Sequence, residues 1–300
     1  MEIAPEVRAA LAAQEPCVAL ETTIVTHGLP HPQNLETARA CEAAVRREGA
    51  VPVTIGVVDG RAVVGLAAGE LERLAQGGPA VRKIAARDLG PAVAQGASGG
   101  TTVSATARLA ARAGLRVFAT GGLGGVHRGA RETWDVSADL YELARSPVAV
   151  FCAGAKAILD LPATAEMLET LGVLVLGWRC DTWPAFYAAE SDVPVEHRVE
   201  TPEECAAVLA AHWEAGGRGA VVLVPPPPGA ALPRAEAEAA VQAALEEMAA
   251  RGVRGKAVTP FLLSAVERRT GGRSLAANRS LVEHNAAVAA RVARALAGRR

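Results

Sequence analysis

Of the 31 basic residues in this 300-residue chain, three are lysines: Lys83, Lys156 and Lys256. Where arginine serves nearly every surface cation, a retained lysine is a candidate for work a guanidinium cannot do, such as forming a Schiff base or reacting as a neutral amine. Lys156 has a fitting setting. It lies in VAVFCAGAKAILD (148–160), after a strongly apolar run and an Ala-Gly-Ala turn, with Ala157, Ile158 and Leu159 following. Apolar surroundings disfavour the ammonium form and favour a nucleophilic amine. The plainer alternative is a lysine snorkelling from a helix start.

Three other segments carry chemistry-bearing residues. In LETTIVTHGLPHPQN (20–34), Glu21 falls within an apolar strand pattern, where an unpaired carboxylate is costly; it reads either as a general acid with a raised pKa or as an outward-facing edge residue. His27 and His31 in the same stretch read as turn residues. ATGGLGGVHRG (119–129) follows a strand, and its paired glycines with His127 and Arg128 suit an anion-binding turn or a plain flexible loop. The Gly/Thr-rich stretch 96–106 is a second candidate anion cradle, opening into a helix. In TWDVSADLYEL (133–143), a helix would set Asp135 and Asp139 four apart on one face, with Ser137 turned away. Such a pair suits a hard divalent ion; the alternative is Asp135 as an N-cap and Asp139 in solvent.

These segments sit at the ends of alternating elements. Strand-like runs are expected at Cys17–Val25, Val51–Val58, Arg61–Gly65, Arg116–Thr120, Val148–Cys152, Val173–Leu176 and Ala220–Val224. Asp59-Gly60 is a hairpin signal. Helical patterns cover Leu35–Glu48 (with Asn34 as N-cap), Glu70–Gln76, Thr102–Arg112, Asp135–Arg145, Pro202–Glu214, Arg234–Arg251 and Leu281–Gly298. This alternation implies a three-layer α/β/α fold around a mostly parallel mixed sheet, as one domain over residues 1–300. In such folds ligands gather at the carboxyl ends of strands. With 50% hydrophobic residues, a net charge of −1 and 3% aromatics, the chain is globular and offers no basic or stacking face for nucleic acid. It shows no span long enough for a bilayer. Five scattered cysteines without a CxxC pair suit a reducing cytoplasm.

Taken together, LETTIVTHGLPHPQNLETA, RKIAARDL, GGTTVSAT, FATGGLGGVHRGA, DVSADLYEL, FCAGAKAILD, TPFLL and TGGRSLAAN resemble the pseudouridine-5′-phosphate glycosidase family, related to the indigoidine synthase A proteins. The resemblance runs from about residue 17 to 290. It implies a homotrimeric enzyme requiring a divalent metal, typically Mn²⁺. Such an enzyme reversibly cleaves the carbon–carbon glycosidic bond of pseudouridine 5′-phosphate to uracil and ribose 5-phosphate. By the same resemblance Lys156 is the nucleophile, Glu21 the proton donor and Asp135 the metal ligand. Lys83, Val103, Ser137 and Asp139 fall at substrate-contacting positions, joined by Thr120, His127 and Asn278. The chain departs from the family at VLVPPPPG (222–229), where an Asn-Pro step is usual. A C-glycoside has no leaving heteroatom, so the implied route opens the ribose, forms an imine on Lys156 and protonates uracil from Glu21. From the residues alone, a Schiff-base lyase acting on another sugar phosphate, or a nucleotide-binding module without catalysis, stays open.

Overall fold

Strand alternation sorts the apolar residues onto two faces. In the computed structural model, which describes residues 1–253 and 258–299, eleven strands form one sheet. They are β1 (Glu2–Ile3), β2 (Cys17–Leu20), β3 (Val51–Val58), β4 (Arg61–Val64), β5 (Arg82–Ile84), β6 (Gly99–Thr101), β7 (Val117–Ala119), β8 (Ala149–Cys152), β9 (Leu174–Trp178), β10 (His197–Val199) and β11 (Ala220–Leu223). The main order is β1-β4-β3-β2-β7-β8-β11-β9-β10, with β6 on β3 and β5 on β6. All pairings are parallel except β3–β4 and β3–β6, so the sheet is mixed and mostly parallel.

Because successive side chains point to opposite faces, Val18, Leu20, Phe151 and Val222 pack one way. They meet the helices Gln33–Arg47, Pro202–Glu214, Arg234–Ala250 and Arg273–Ala297. Cys17, Ala19, Phe118, Val150, Cys152 and Val221 pack the other way, against Pro5–Ala12, Val103–Ala113, Ala138–Leu143 and Leu161–Thr170. The strands are apolar on both faces because helices cover both. The result is the expected three-layer α/β/α architecture. Buried Phe118 and Phe151, on opposite faces, are each worth about 1.5–3 kcal/mol of transfer free energy.

The Asp59-Gly60 hairpin forms as expected, with positive φ at both residues (49° and 73°) joining β3 to β4. Several boundaries differ from the sequence reading, and the differences lie where the sheet changes partner. The strand expected over Cys17–Val25 stops at Leu20. Up to Thr54, β3 pairs with β2, but at Gly56 and Val57 it pairs with β6 instead. The chain leaving β2 must turn aside, which it does through a one-turn π-helix, Ile24–Gly28. Threonine hydroxyls stitch the junction: Thr22 Oγ1 donates to Ile55 O (2.8 Å), Thr101 Oγ1 to Ile55 O (2.7 Å) and Thr23 Oγ1 to Thr101 O (2.8 Å). The expected anion cradle at 96–106 is partly this strand. A Cβ on Gly100 would lie 2.6 Å from Thr22 O, so this glycine serves close packing.

Asn34 is not a cap. The helix begins at Gln33, and Asn34, buried in its first turn, donates to Val25 O (2.6 Å) and Ala75 O (3.0 Å), tying the π-turn down. Strands β1, β5, β6 and β10 and the helices 5–12, 161–170 and 258–269 escape a periodicity reading because they are short or lack a clean apolar stripe. Among the described residues no helix is long and apolar enough to cross a membrane. Lys256 lies outside the described residues.

Candidate active site

The parallel strands β2, β7 and β8 end on one edge of the sheet, and the residues that follow them converge. A cavity of about 290 Å³ opens there, lined by Glu21, Lys83, His127, Asp135 and Lys156. Val103, Ser137 and Asp139 form more of its wall. A narrow space of about 50 Å³ shares Glu21, Lys83 and Lys156 and adds His27 and Asn278. Thr120 stands behind Glu21. The tertiary structure therefore brings the expected residues to one place; His31 does not line it.

Lys156 is held by its backbone. Its N–H donates to Leu123 O (3.0 Å), and its carbonyl accepts from Leu159 N–H (2.9 Å). Arg128 Nε donates to Leu159 O (3.3 Å), bracing the same turn. Gly154 (φ 80°) makes the turn possible, since a Cβ there would also lie 2.7 Å from Pro184 O. Ala155, Ile158 and Leu159 are buried, as their apolar character predicts, but Lys156 itself is only half-buried and borders three cavities. It faces the site from an apolar turn without being sealed from water.

Glu21 sits one residue beyond β2. Its Oε1 accepts from Thr120 Oγ1 (2.6 Å) and its Oε2 from Thr23 N–H (3.2 Å). Burial pushes its pKa above the usual carboxylate value; the nearby Lys156, the Thr120 hydroxyl and Lys83 pull it down, and Asp139 pushes it up. The desolvation cost is the largest of these effects, so the net displacement is upward. Of the two sequence readings, the edge position is excluded: Glu21 points into the cavity.

Asp135 and Asp139 do not share a helix face. The helix starts at Ala138 with Ser137 as its N-cap, and Ser137 Oγ accepts from Asp139 N–H (3.2 Å). Asp139 is buried, neither solvated nor aimed beside Asp135. Its Oδ1 accepts from Ser104 N–H (2.8 Å) and its Oδ2 from Gly124 N–H (2.9 Å). Both Gly-rich segments thus spend an amide on an internal carboxylate: the helix N-terminus at Val103–Ala113 and the 121–125 turn each hold Asp139. The glycines of that turn answer to packing. A Cβ on Gly122 would lie 2.6 Å from the Phe186 ring and one on Gly124 2.2 Å from Ser137 Oγ. The neighbouring Glu142, buried with its carboxylate bonded to Arg108 and Ser146, fixes this helix against the one beginning at Val103.

Asp135 precedes the helix and its side chain is 51% exposed, 3.8 Å from His127 Nδ1. The His127 N–H donates to Asp135 O (3.0 Å). Burial pushes the His127 imidazole below its ordinary pKa; Asp135 opposes this, and Lys156 and Lys83 add to it. Among the described residues no group of three His, Cys, Asp or Glu side chains is arranged as a metal cage. The one exposed carboxylate of this wall, Asp135, suits a hydrated hard cation whose remaining ligands are water and substrate oxygens. Several lining residues carry no individual signal in the sequence reading, among them three polar ones. Ser104 enters through its amide, while Arg87 and Asp88 lie within RKIAARDL, whose charged pair was the available signal.

Residues 6–295 match the family described as indigoidine synthase A like protein. A protein of Hahella chejuensis named pseudouridine-5′-phosphate glycosidase is 54% identical, covering 98% of this chain and 97% of its own. One of the same name from Myxococcus xanthus is 51% identical over 99% and 98%. Among solved structures, the prealnumycin C-glycosynthase AlnA in complex with ribulose 5-phosphate superposes with a TM-score of 0.91 at 42% identity, covering 99% of this chain and 97% of its own. An indigoidine synthase A-like protein of Thermotoga maritima superposes at 0.89 and 36% identity, covering 99% and 96%. With matches of this length and identity, the chain belongs to the indigoidine synthase A-like family, alongside the pseudouridine-5′-phosphate glycosidases.

Proposed function

We propose that the protein is a pseudouridine-5′-phosphate glycosidase that reversibly releases uracil and ribose 5-phosphate through an imine on Lys156. The observation that carries this reading is the meeting, in one cavity, of Lys156 with Glu21, a carboxyl whose pKa burial raises. Relatives bearing that name, and a neighbour whose crystals hold a pentulose phosphate, support it.

The residues would act as follows. The ribose ring opens and Lys156 Nζ adds to C1′, the proton shed by nitrogen ending on O4′. Glu21 gives its proton to uracil C5 as the C1′–C5 bond breaks, its electron pair passing to the base. The nitrogen lone pair closes a C1′=N iminium. Water hydrolyses it, freeing ribose 5-phosphate and the amine, and the released proton returns to Glu21. Arginine cannot substitute, because its guanidinium stays protonated. Lys83 and His127 supply donors for the phosphate, with Arg87 at the cavity wall. The Gly124 amide, occupied by Asp139, is not available for that task. Val103 and Ser137 shape the wall beside them, and Asn278 borders the narrow space beyond Lys156. A Mn²⁺ or similar cation held by Asp135 would supply positive charge to substrate oxygens when bound.

A cytoplasmic, homotrimeric enzyme acting on small molecules belongs to the same proposal; the five free cysteines accord with a reducing compartment. The decisive experiment is borohydride reduction during turnover of pseudouridine 5′-phosphate, followed by peptide mass mapping. A pentose adduct on Lys156 together with free uracil is the expected result. An adduct on Lys83 or Lys256 alone overturns the assignment. Turnover of a plain sugar phosphate without uracil would favour a Schiff-base lyase.

A further inference from the structure

The helix Arg273–Ala297 runs behind the turn that follows β7, and three of its residues face that turn: Asn278, Val282 and Asn285. Spacings of four and three bring them onto one side of the helix. Asn278 and Val282 close over Gly121, where a Cβ would lie 3.3 Å from Asn278 Oδ1 and 2.9 Å from the Val282 side chain. Asn285 is fully buried, and its Nδ2 donates to the carbonyl of Thr120 (2.8 Å). The N–H of Thr120 is held from the other direction by Phe151 O (3.0 Å). Thr120 is the first residue past β7, so its carbonyl has left the strand ladder and takes its bond from this side chain. Asn285 Oδ1, in turn, has no hydrogen-bond partner although it is buried. A buried amide left half-satisfied calls for an explanation beyond packing.

We propose that Asn285 is a positioning residue for the proton donor: by anchoring the Thr120 carbonyl it aims the Thr120 hydroxyl at Glu21. The chain of contacts is continuous, from Asn285 Nδ2 to Thr120 O and from Thr120 Oγ1 to Glu21 Oε1 at 2.6 Å. Asn285 is not itself among the residues lining the two cavities and acts through Thr120. The inference rests on the reading of Glu21 as proton donor and deepens it. The other charged groups acting on Glu21 are Lys156 after β8, Lys83 on β5 and Asp139 on the helix Ala138–Leu143. The hydrogen bond of Asn285 goes to the Thr120 carbonyl, so replacing it acts on Glu21 through Thr120.

The Thr120 hydroxyl donates to the carboxylate and so favours its ionised form. Losing that donor holds the proton more tightly and moves the alkaline limb of activity to higher pH. The test is the pH dependence of kcat/KM for uracil release from pseudouridine 5′-phosphate, measured for Thr120→Val, Asn285→Leu and the double variant. Asn285→Leu should move the alkaline limb upward in the same direction as Thr120→Val, with kcat falling more than KM changes. The double variant should move it no further than Thr120→Val alone. If Asn285→Leu does not fold, Asn285→Ala decides by the same readout. A limb left in place by the Asn285 variant while Thr120→Val moves it overturns the proposal and leaves the Glu21 reading standing. A Glu21→Gln variant that still releases uracil removes the Glu21 reading, and this inference with it.

Discussion

Asp139 ties together three segments distant in sequence, and replacing it with asparagine is a demanding test of that role. Its two oxygens accept from Ser104 N–H and Gly124 N–H, and the residue is 5% exposed. In Asp139→Asn one oxygen can keep its bond, but the new NH₂ meets an N–H donor. The loss is one hydrogen bond to a charged acceptor, about 1.5–3 kcal/mol, together with the penalty of a buried amide left unpaired, about 1–3 kcal/mol. The two overlap, so we expect a destabilisation of about 3 kcal/mol. At 2–4 °C per kcal/mol for a chain of this size, the midpoint of thermal unfolding should fall by roughly 6–12 °C. Far-UV circular dichroism at neutral pH measures it. The helix Ala138–Leu143 would loosen first, and with it the wall beside Lys156. A midpoint within about 1 °C of the wild type would refute the reasoning, since it would mean that the two amides lose nothing when the carboxylate goes.

Two further outcomes follow from the same geometry. Glu21 has its pKa raised by burial, so between its unfolded and folded values the folded chain binds more protons than the unfolded one. Stability then falls as pH rises through that window, and Glu21→Gln should unfold at a higher temperature than the wild type above it while releasing no uracil. An unchanged difference in melting temperature between pH 4 and pH 9 would contradict this. Asp135 offers a single exposed carboxylate, so Asp135→Asn should raise the Mn²⁺ concentration needed for half-maximal turnover at least tenfold after chelator dialysis. A titration curve coincident with the wild type would remove Asp135 from the metal site.

The alternation of apolar runs with amphipathic helices was enough to indicate the layered sheet, because facing periodicity is a local property of the chain. The rarity of lysine, together with the apolar flanks of Lys156, marked the residue that the fold then sets at the strand ends. Local pattern misled where a buried polar group took over from propensity. Glu21 reads as mid-strand until β3 changes partner after Thr54. Asp135 and Asp139 read as a helical pair until the cap is seen to be Ser137. The glycines of 121–125 suggest a ligand-binding amide nest, yet the side chains of Phe186, Ser137 and Asp139 fill the space their Cβ atoms would need.

What the amino-acid order determined by itself is which faces are apolar and which reactive side chain lies in an unusual setting. Only the tertiary structure decided the partnerships: Thr120 with Glu21 across 99 residues, Asn285 with Thr120 across 165, and Asp139 with the amides of Ser104 and Gly124. The reason is physical. Periodicity is set by the geometry of one element, whereas meetings between strand ends depend on strand order. That order follows from burying both faces of the sheet at once, a condition that no single segment carries.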